Sequence, residues 1–367
     1  MSCLPVFLSS CLPVFLSSCL PVFLSDVSQQ STPRMQAWCN MSFLATRHLA
    51  SRKASHSRHS SRRGISLLEI VVSIAIIGML LGLLVPAVQQ SREAGRRIAC
   101  ANNLKQLATA TQLYESNHGS FPMGNSDGRS AFVALLPFMD RAALFRESNT
   151  ISPFPNPFSL SGTSPTIYQT SLPVFSCISD SATGTTQAMA GTSYAMNWGS
   201  GVQKYGYNGL FRPLIPDPIL PNGLVRPADV RDGLSNTAMF AEILQSNGQL
   251  DRVRTVWNLP TAMPLPAQYE AFSNTCRDLS VVTGGLSDVR GRPWAHGDVF
   301  RTAYTHMIEP NRPSCTNGGV VPMGSYSAGS AHSNGAQVAF ADGHIDFVSN
   351  QVSLSVWRAF GSRSGSD

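Results

Sequence analysis

From Ile70 through Ser91 the chain carries no charged side chain. An apolar stretch of about 20 residues is long enough, as an α-helix, to cross the hydrocarbon core of a bilayer. A single carboxylate, Glu69, stands at the head of the run, behind Arg62-Arg63-Gly64-Ile65-Ser66. A charge at that edge is costly in lipid and calls for a partner. Downstream, Ile98, Ala101, Leu104, Ala108 and Leu113 or Tyr114 recur at helical spacing, with polar residues between them and Gly119 as a stop signal. The spacing predicts one long helix over Ile65–His118, lipid-facing first and amphipathic later. Pro86 is expected to kink it, because proline removes an intrahelical hydrogen bond and clashes with the preceding turn.

Charge is distributed unevenly. The net charge is +6, but residues 1–64 hold seven Lys/Arg against one acid, Asp26, so the remainder is neutral. A neutral body argues against nucleic acid as a partner, which would need a basic face. The basic leader belongs to membrane targeting. An apolar fraction of 43% in 367 residues is enough to build a packed core.

Residues 2–25 are three copies of Ser-Cys-Leu-Pro-Val-Phe-Leu-Ser. A solenoid repeat needs roughly 20 residues per unit, so residues 1–40 are read as low-complexity sequence, with Met35 or Met41 as alternative starts. Residues 41–64 form a basic leader, 65–118 the helix, and 119–367 a globular region rich in Pro, Gly, Ser, Thr and Asn. Short apolar runs at Ala131–Phe138, Val174–Ile178, Thr237–Leu244 and Val253–Trp257 predict short strands or helical turns between loops. The expected fold class is α+β: a long amino-terminal helix followed by a β-rich, loop-heavy domain with antiparallel sheet.

The carboxy-terminal end has the strongest local pattern. Asp342-Gly343 separates two alternating runs, which predicts a hairpin with a two-residue type I′ turn. That register pairs Phe340 with Ile345 and Val338 with Phe347 on one apolar face, and puts His344 and Asp346 on the other. Ser353 is a candidate cap for a closing helix carrying Leu354, Trp357 and Phe360, ended by Gly361.

The order basic residues, Gly64, Ile65, Glu69 and apolar helix resembles the prepilin leader of type IV pilins and type II secretion pseudopilins. The resemblance implies cleavage by prepilin peptidase between Gly64 and Ile65 and methylation of the new terminus. Ile65 stands where those families usually have Phe. It also implies that Glu69 meets the terminal amine of a neighbouring subunit, which offsets the cost of burying its charge, and that Pro86 marks the helix kink seen in many pilins. A second resemblance rests on Cys100-Ala101-Asn102-Asn103-Leu104-Lys105-Gln106, Asp232-Gly233-Leu234-Ser235-Asn236-Thr237, Pro310-Asn311 near Cys315, and His332 followed after nine residues by Asp342-Gly343. Together these are similar to a large bacterial family with a prepilin leader and a domain of unknown function.

Eight cysteines contain no Cys-x-x-Cys pair, so no zinc pattern is present. In an exported domain Cys276 and Cys315, both in loop-like sequence, are the first candidate disulfide and Cys100 with Cys177 the second. Free buried thiols are the alternative. His332, Asp342, His344 and Asp346 invite a metal or catalytic reading. The plainer one is that Asp342-Gly343 serves turn geometry and His332 orders the preceding loop. No nucleophile elbow, phosphate loop or His-Glu-x-x-His string occurs, so neither enzyme activity, cofactor nor metal is expected.

The function expected from these features is that of a pseudopilin-like subunit. It would be held in the bacterial cytoplasmic membrane by one pass, with its globular part periplasmic or at the cell surface. Its partners would be prepilin peptidase, the membrane and other pilin-like subunits. The alternative is a membrane-tethered binding module using Tyr194, Trp198, Tyr205, Tyr207 and Trp294 for recognition. A metal-dependent enzyme centred on His332 comes third.

Overall fold

The apolar-to-amphipathic pattern forms one continuous helix, α1 (Leu67–His118), in the computed structural model. The structure describes residues 64, 66–157, 165–182, 189–200, 207–213, 224–260, 268–317 and 324–365. The repeat, the leader up to Arg63, Ile65 and Tyr205 lie outside them. The chain divides at Ile70/Val71. From Val71 to Gln90 every side chain on α1 is exposed. Farther along, Cys100, Leu104, Leu107, Ala108 and Thr111 form a buried stripe. Ile98 and Leu113 lie off that stripe and are exposed, so the buried face is rotated from the one the spacing suggested. Gly119, at φ +71°, ends the helix, its N–H donating to Glu115 O at 2.7 Å.

After α1 come the short hairpin β1 (Asn125–Ser126) and β2 (Arg129–Ser130), then α2 (Ala131–Leu135), α3 (Ala142–Asn149) and α4 (Thr166–Gln169). The main strands follow: β3 (Tyr194–Asn197), β4 (Ala238–Glu242), β5 (Val256–Asn258), and β6 (Gly284–Leu286) behind α5 (Tyr269–Asp278). Then come α6 (Val299–Thr302), β7 (Ala303–Tyr304), β8 (Ser314–Thr316), β9 (Gly324–Ser325), β10 (Gly335–Phe340), β11 (Ile345–Ser349) and α7 (Leu354–Gly361). Among the described residues one sheet has the order β11-β10-β4-β3-β7 and a second the order β6-β5-β8-β9. Both are mainly antiparallel, with parallel pairs at β3/β7 and β5/β8.

Period-two alternation divides the larger sheet between two cores. Tyr194, Met196, Phe240 and Ala339 pack with Leu104, Leu107 and Ala108 of α1. Ala195, Ala241, Val338 and Phe340 pack on the other side with Trp357 of α7. β10 is buried along its whole length, as a central strand covered on both faces must be. Trp357 is fully buried, and its indole N–H donates to Ile308 O at 2.8 Å.

The carboxy-terminal hairpin forms, but its register differs by one position from the two-residue-turn expectation. Val338 lies opposite Asp346, Ala339 opposite Ile345 and Gln337 opposite Phe347. The loop therefore has three residues, Ala341-Asp342-Gly343. The Gly343 N–H donates to Phe340 O and the Phe340 N–H to His344 O. Gly343 takes φ +86°, the arrangement of a type I turn closed by a left-handed glycine. The four apolar residues consequently do not share a face. Val338 and Phe340 turn towards α7, Ile345 packs on the α1 side, and the Arg97 guanidinium lies over the Phe347 ring at 3.4 Å.

Candidate functional site

At the head of α1, Ser66 is the residue before the first helical position, and its Oγ accepts the Leu68 N–H at 3.3 Å. Ser66-Leu67-Leu68-Glu69 is the Ser-x-x-Glu pattern of a helix start, and Glu69 falls in the first turn, where the helix dipole favours a carboxylate. The same residues that open the helix thus hold the acid at its mouth. Gly64 lies just before this turn. Leu67, Leu68 and Ile70 are 80%, 71% and 51% exposed, and the helix continues through Pro86. Pro86 has no N–H to give the Gly82 carbonyl one turn earlier, so the helix is weakened there without being interrupted.

His332 occupies a buried junction on the carboxy-terminal half of the chain. Its Nδ1 is 2.6 Å from Glu93 Oε1 on α1. Its Nε2 is 3.7 Å from Glu242 Oε1 at the end of β4 and 3.6 Å from Cys177 Sγ. Cys177 is joined by a disulfide to Cys100 of α1. Glu242 is almost wholly buried. Its Oε2 accepts the Gln337 N–H at 3.0 Å, while Oε1 has no hydrogen-bond partner. Burial pushes the Glu242 carboxyl up, against the Gln337 N–H, the Ser330 hydroxyl and the charges of His332 and Arg97. A carboxylate–histidine–carboxylate array beside a disulfide therefore links α1, β4 and the loop before β10.

Asp342 has different partners from His332. Its Oδ1 accepts the His344 N–H at 3.0 Å and lies 2.6 Å from His344 Nδ1, and His344 Nε2 is 3.7 Å from Asp346. Partial burial raises the Asp342 carboxyl, but the His344 bonds and charge together with Lys105 outweigh this and hold it below the usual range. His332 and Asp342 thus belong to two clusters. His344 stacks on Phe340, ring centroids 4.4 Å apart, and so does not lie across the sheet from the apolar residues as the earlier register implied.

The scattered sequence strings converge in space. Lys105 Nζ donates to Gly343 O at 2.6 Å, fastening the hairpin turn to α1. The Asp342 and Ala341 N–H groups donate to Leu234 and Thr237 carbonyls in the Asp232–Thr237 string. That string also holds the chain end: Asp232 Oδ2 accepts from Ser362 Oγ at 3.1 Å and from the Gly365 N–H at 2.6 Å. Asn311, at φ +61°, donates to Gly335 O and Asn350 Oδ1 and accepts the Ser330 N–H, bracing the loop that presents His332. Cys276 of α5 and Cys315 of β8 are joined by a disulfide in a small core with Leu259, Phe272, Met307 and Ile308. The aromatic residues Tyr194, Trp198, Tyr207 and Trp294 are buried and part of the main core. They present no recognition surface.

Sequence reasoning alone did not supply Glu93 or Glu242 as partners of His332. One signal existed: Glu242 is a lone acid inside the otherwise apolar run Ala238–Leu244, and a buried carboxylate requires a partner.

Residues 89–355 match a family described as a protein of unknown function (DUF1559). The chain belongs to the DUF1559 family. Residues 59–85 match the prokaryotic N-terminal methylation motif, which overlies Gly64, Glu69 and the start of the exposed apolar helix. This DUF1559 member is thus a pilin-like protein of the kind processed by prepilin peptidase, with an apolar helix suited to membrane anchoring. Comparison with curated proteins and with solved structures gave no match.

Proposed function

We propose that this DUF1559 protein is a pseudopilin-like structural subunit, cut between Gly64 and Ile65, methylated at Ile65, and assembled through α1 in a type II secretion or type IV pilus-like system. The observation that carries this reading is the methylation motif over residues 59–85, whose portion from Leu67 onward lies on a helix whose apolar window is wholly exposed. In the membrane, residues 70–91 face lipid. In the assembly they face the same segment of neighbouring subunits, and Glu69 meets a neighbour's terminal amine. Lipid tails are as apolar as leucine, so association depends on close packing and on satisfying the carboxylate. Gly78 and Gly82 stand one turn apart, and a Cβ at either would meet nothing within 4 Å, which leaves room for a neighbouring backbone to approach.

The globular part is placed by this reading on the periplasmic side or at the cell surface, with no catalytic role. Of the aromatic residues behind the competing binding-module reading, Tyr194, Trp198, Tyr207 and Trp294 are instead core residues. The test uses two variants. Gly64→Val blocks processing, whereas Glu69→Ala is processed normally but gives fewer homotypic crosslinks between engineered cysteines on α1. Normal processing of Gly64→Val, or unchanged crosslinking of Glu69→Ala, contradicts the proposal.

A further inference from the structure

The atoms around His332 are those of a metal site with one bond in the way. Cys100 Sγ, Cys177 Sγ, Glu242 Oε1 and His332 can each offer a ligand atom, all within 4.8 Å of one another, and all four residues are buried. A tetrahedral zinc site, with bonds of about 2.0–2.1 Å to nitrogen or oxygen and about 2.3 Å to sulfur, needs ligand atoms roughly 3.4–3.8 Å apart. His332 Nε2 lies 3.6 Å from Cys177 Sγ and 3.7 Å from Glu242 Oε1. Two edges of the tetrahedron are therefore already set.

Two further observations point the same way. Glu242 Oε1 is buried and has no hydrogen-bond partner, a costly arrangement unless something else engages it. Glu93 sits on the far side of the imidazole, 2.6 Å from Nδ1. A carboxylate there accepts the Nδ1–H, which keeps the proton on that nitrogen and leaves the Nε2 lone pair directed at the cluster, as outer carboxylates orient histidine ligands.

We propose that Cys100, Cys177, His332 and Glu242 form a redox-gated zinc site, in which the metal replaces the Cys100–Cys177 disulfide when that bond is reduced. A dithiol reductant supplies two electrons and two protons, giving two thiols and becoming a disulfide itself. Zinc then displaces both thiol protons to solvent and takes two thiolates, the Nε2 lone pair and one carboxylate oxygen. Either linkage, S–S or S–Zn–S, ties α1 to the segment around Cys177. The metal form additionally engages β4 and the loop before β10.

The test uses the full chain in detergent, with Cys3, Cys11, Cys19 and Cys39 replaced by alanine. After reduction with a phosphine, Co2+ serves as the spectroscopic probe and bound metal is counted after gel filtration. The expected result is one metal per chain, a tetrahedral spectrum with thiolate-to-cobalt charge transfer, displacement by Zn2+, and no uptake by the oxidised chain. Cys100→Ala/Cys177→Ala and Glu242→Gln lose tight binding. Glu93→Ala, which removes no ligand, weakens it about 10–100-fold and reads out the site even where a ligand variant fails to fold. No uptake by the reduced chain, uptake unchanged in Cys100→Ala/Cys177→Ala, or unchanged affinity in Glu93→Ala overturns the proposal and leaves a purely structural disulfide.

Discussion

Removing the Cys276–Cys315 bond with Cys276→Ala/Cys315→Ala measures how far the second sheet depends on a covalent staple. The bond closes a loop of 39 residues between α5 and β8. On the chain-entropy model, a loop of that length restricts the unfolded ensemble by about 4 kcal/mol at room temperature. The apolar core around it is small, formed by Leu259, Phe272, Met307 and Ile308 with the cystine itself, and the other ties of α5 are partly exposed polar ones such as Arg277 to Glu309. Urea unfolding followed by tryptophan fluorescence is a suitable assay, because Trp257 packs against this core. With a slope of roughly 2–3 kcal/mol per molar urea, the midpoint should fall by about 1.3–2 M. A midpoint unchanged within about 0.3 M, at an unchanged slope, would refute the view that this bond holds the second sheet in place. The bond also reports compartment, since disulfides persist outside the reducing cytosol. Protein from the cell envelope should carry it, and free thiols at all four of Cys100, Cys177, Cys276 and Cys315 would contradict exported placement.

His306 is fully buried against Trp357, ring centroids 4.1 Å apart, and burial pushes its imidazole down to about 3. The unfolded chain, at about 6.5, binds the proton first as pH falls, so stability present above pH 6.5 is lost between there and pH 3. The loss reaches roughly 2 kcal/mol by pH 5, and His306→Phe should remove that part of the pH dependence of urea stability; an identical slope in the variant would count against it. Trp357→Ala empties the core under β10 and should cost about 3–5 kcal/mol in the same assay. A loss below about 1 kcal/mol would show that α7 is peripheral. Gly343→Val forces a branched side chain into φ +86° with its Cβ position 2.8 Å from Gln112 Nε2, and should destabilise by about 1–3 kcal/mol. Thermal melts indistinguishable from the parent would rule out the left-handed turn.

Features written as one-dimensional patterns were legible in the sequence. The apolar run, Glu69 and the Gly119 stop depend on spacing along one helix, and α1 ends where that spacing ends. α7 likewise forms where Leu354, Trp357 and Phe360 recur at helical spacing, although the Ser353 side chain makes no capping hydrogen bond and Gly361 is the last helical residue, not the stop beyond it. The hairpin was legible in kind but not in register, because Ala341 sends its N–H to Thr237 O instead of joining the ladder. Nothing local to Asp342-Gly343 announces a partner more than a hundred residues away. The His332 junction was least legible, since Glu93, Cys100, Cys177 and Glu242 come from separate elements and meet only when α1 packs on the sheet. The aromatic residues were ambiguous for a related reason: a loop-rich sequence does not reveal which of them, such as Trp198 and Trp294, end up buried.

Everything proposed for assembly follows from how the chain begins once it has matured. Intact-mass and amino-terminal sequencing of protein taken from the membrane fraction should give a terminus at Ile65 carrying one methyl group, with Glu69 as the fifth residue. A mature chain that retains Arg62-Arg63-Gly64, or begins anywhere else, would contradict it.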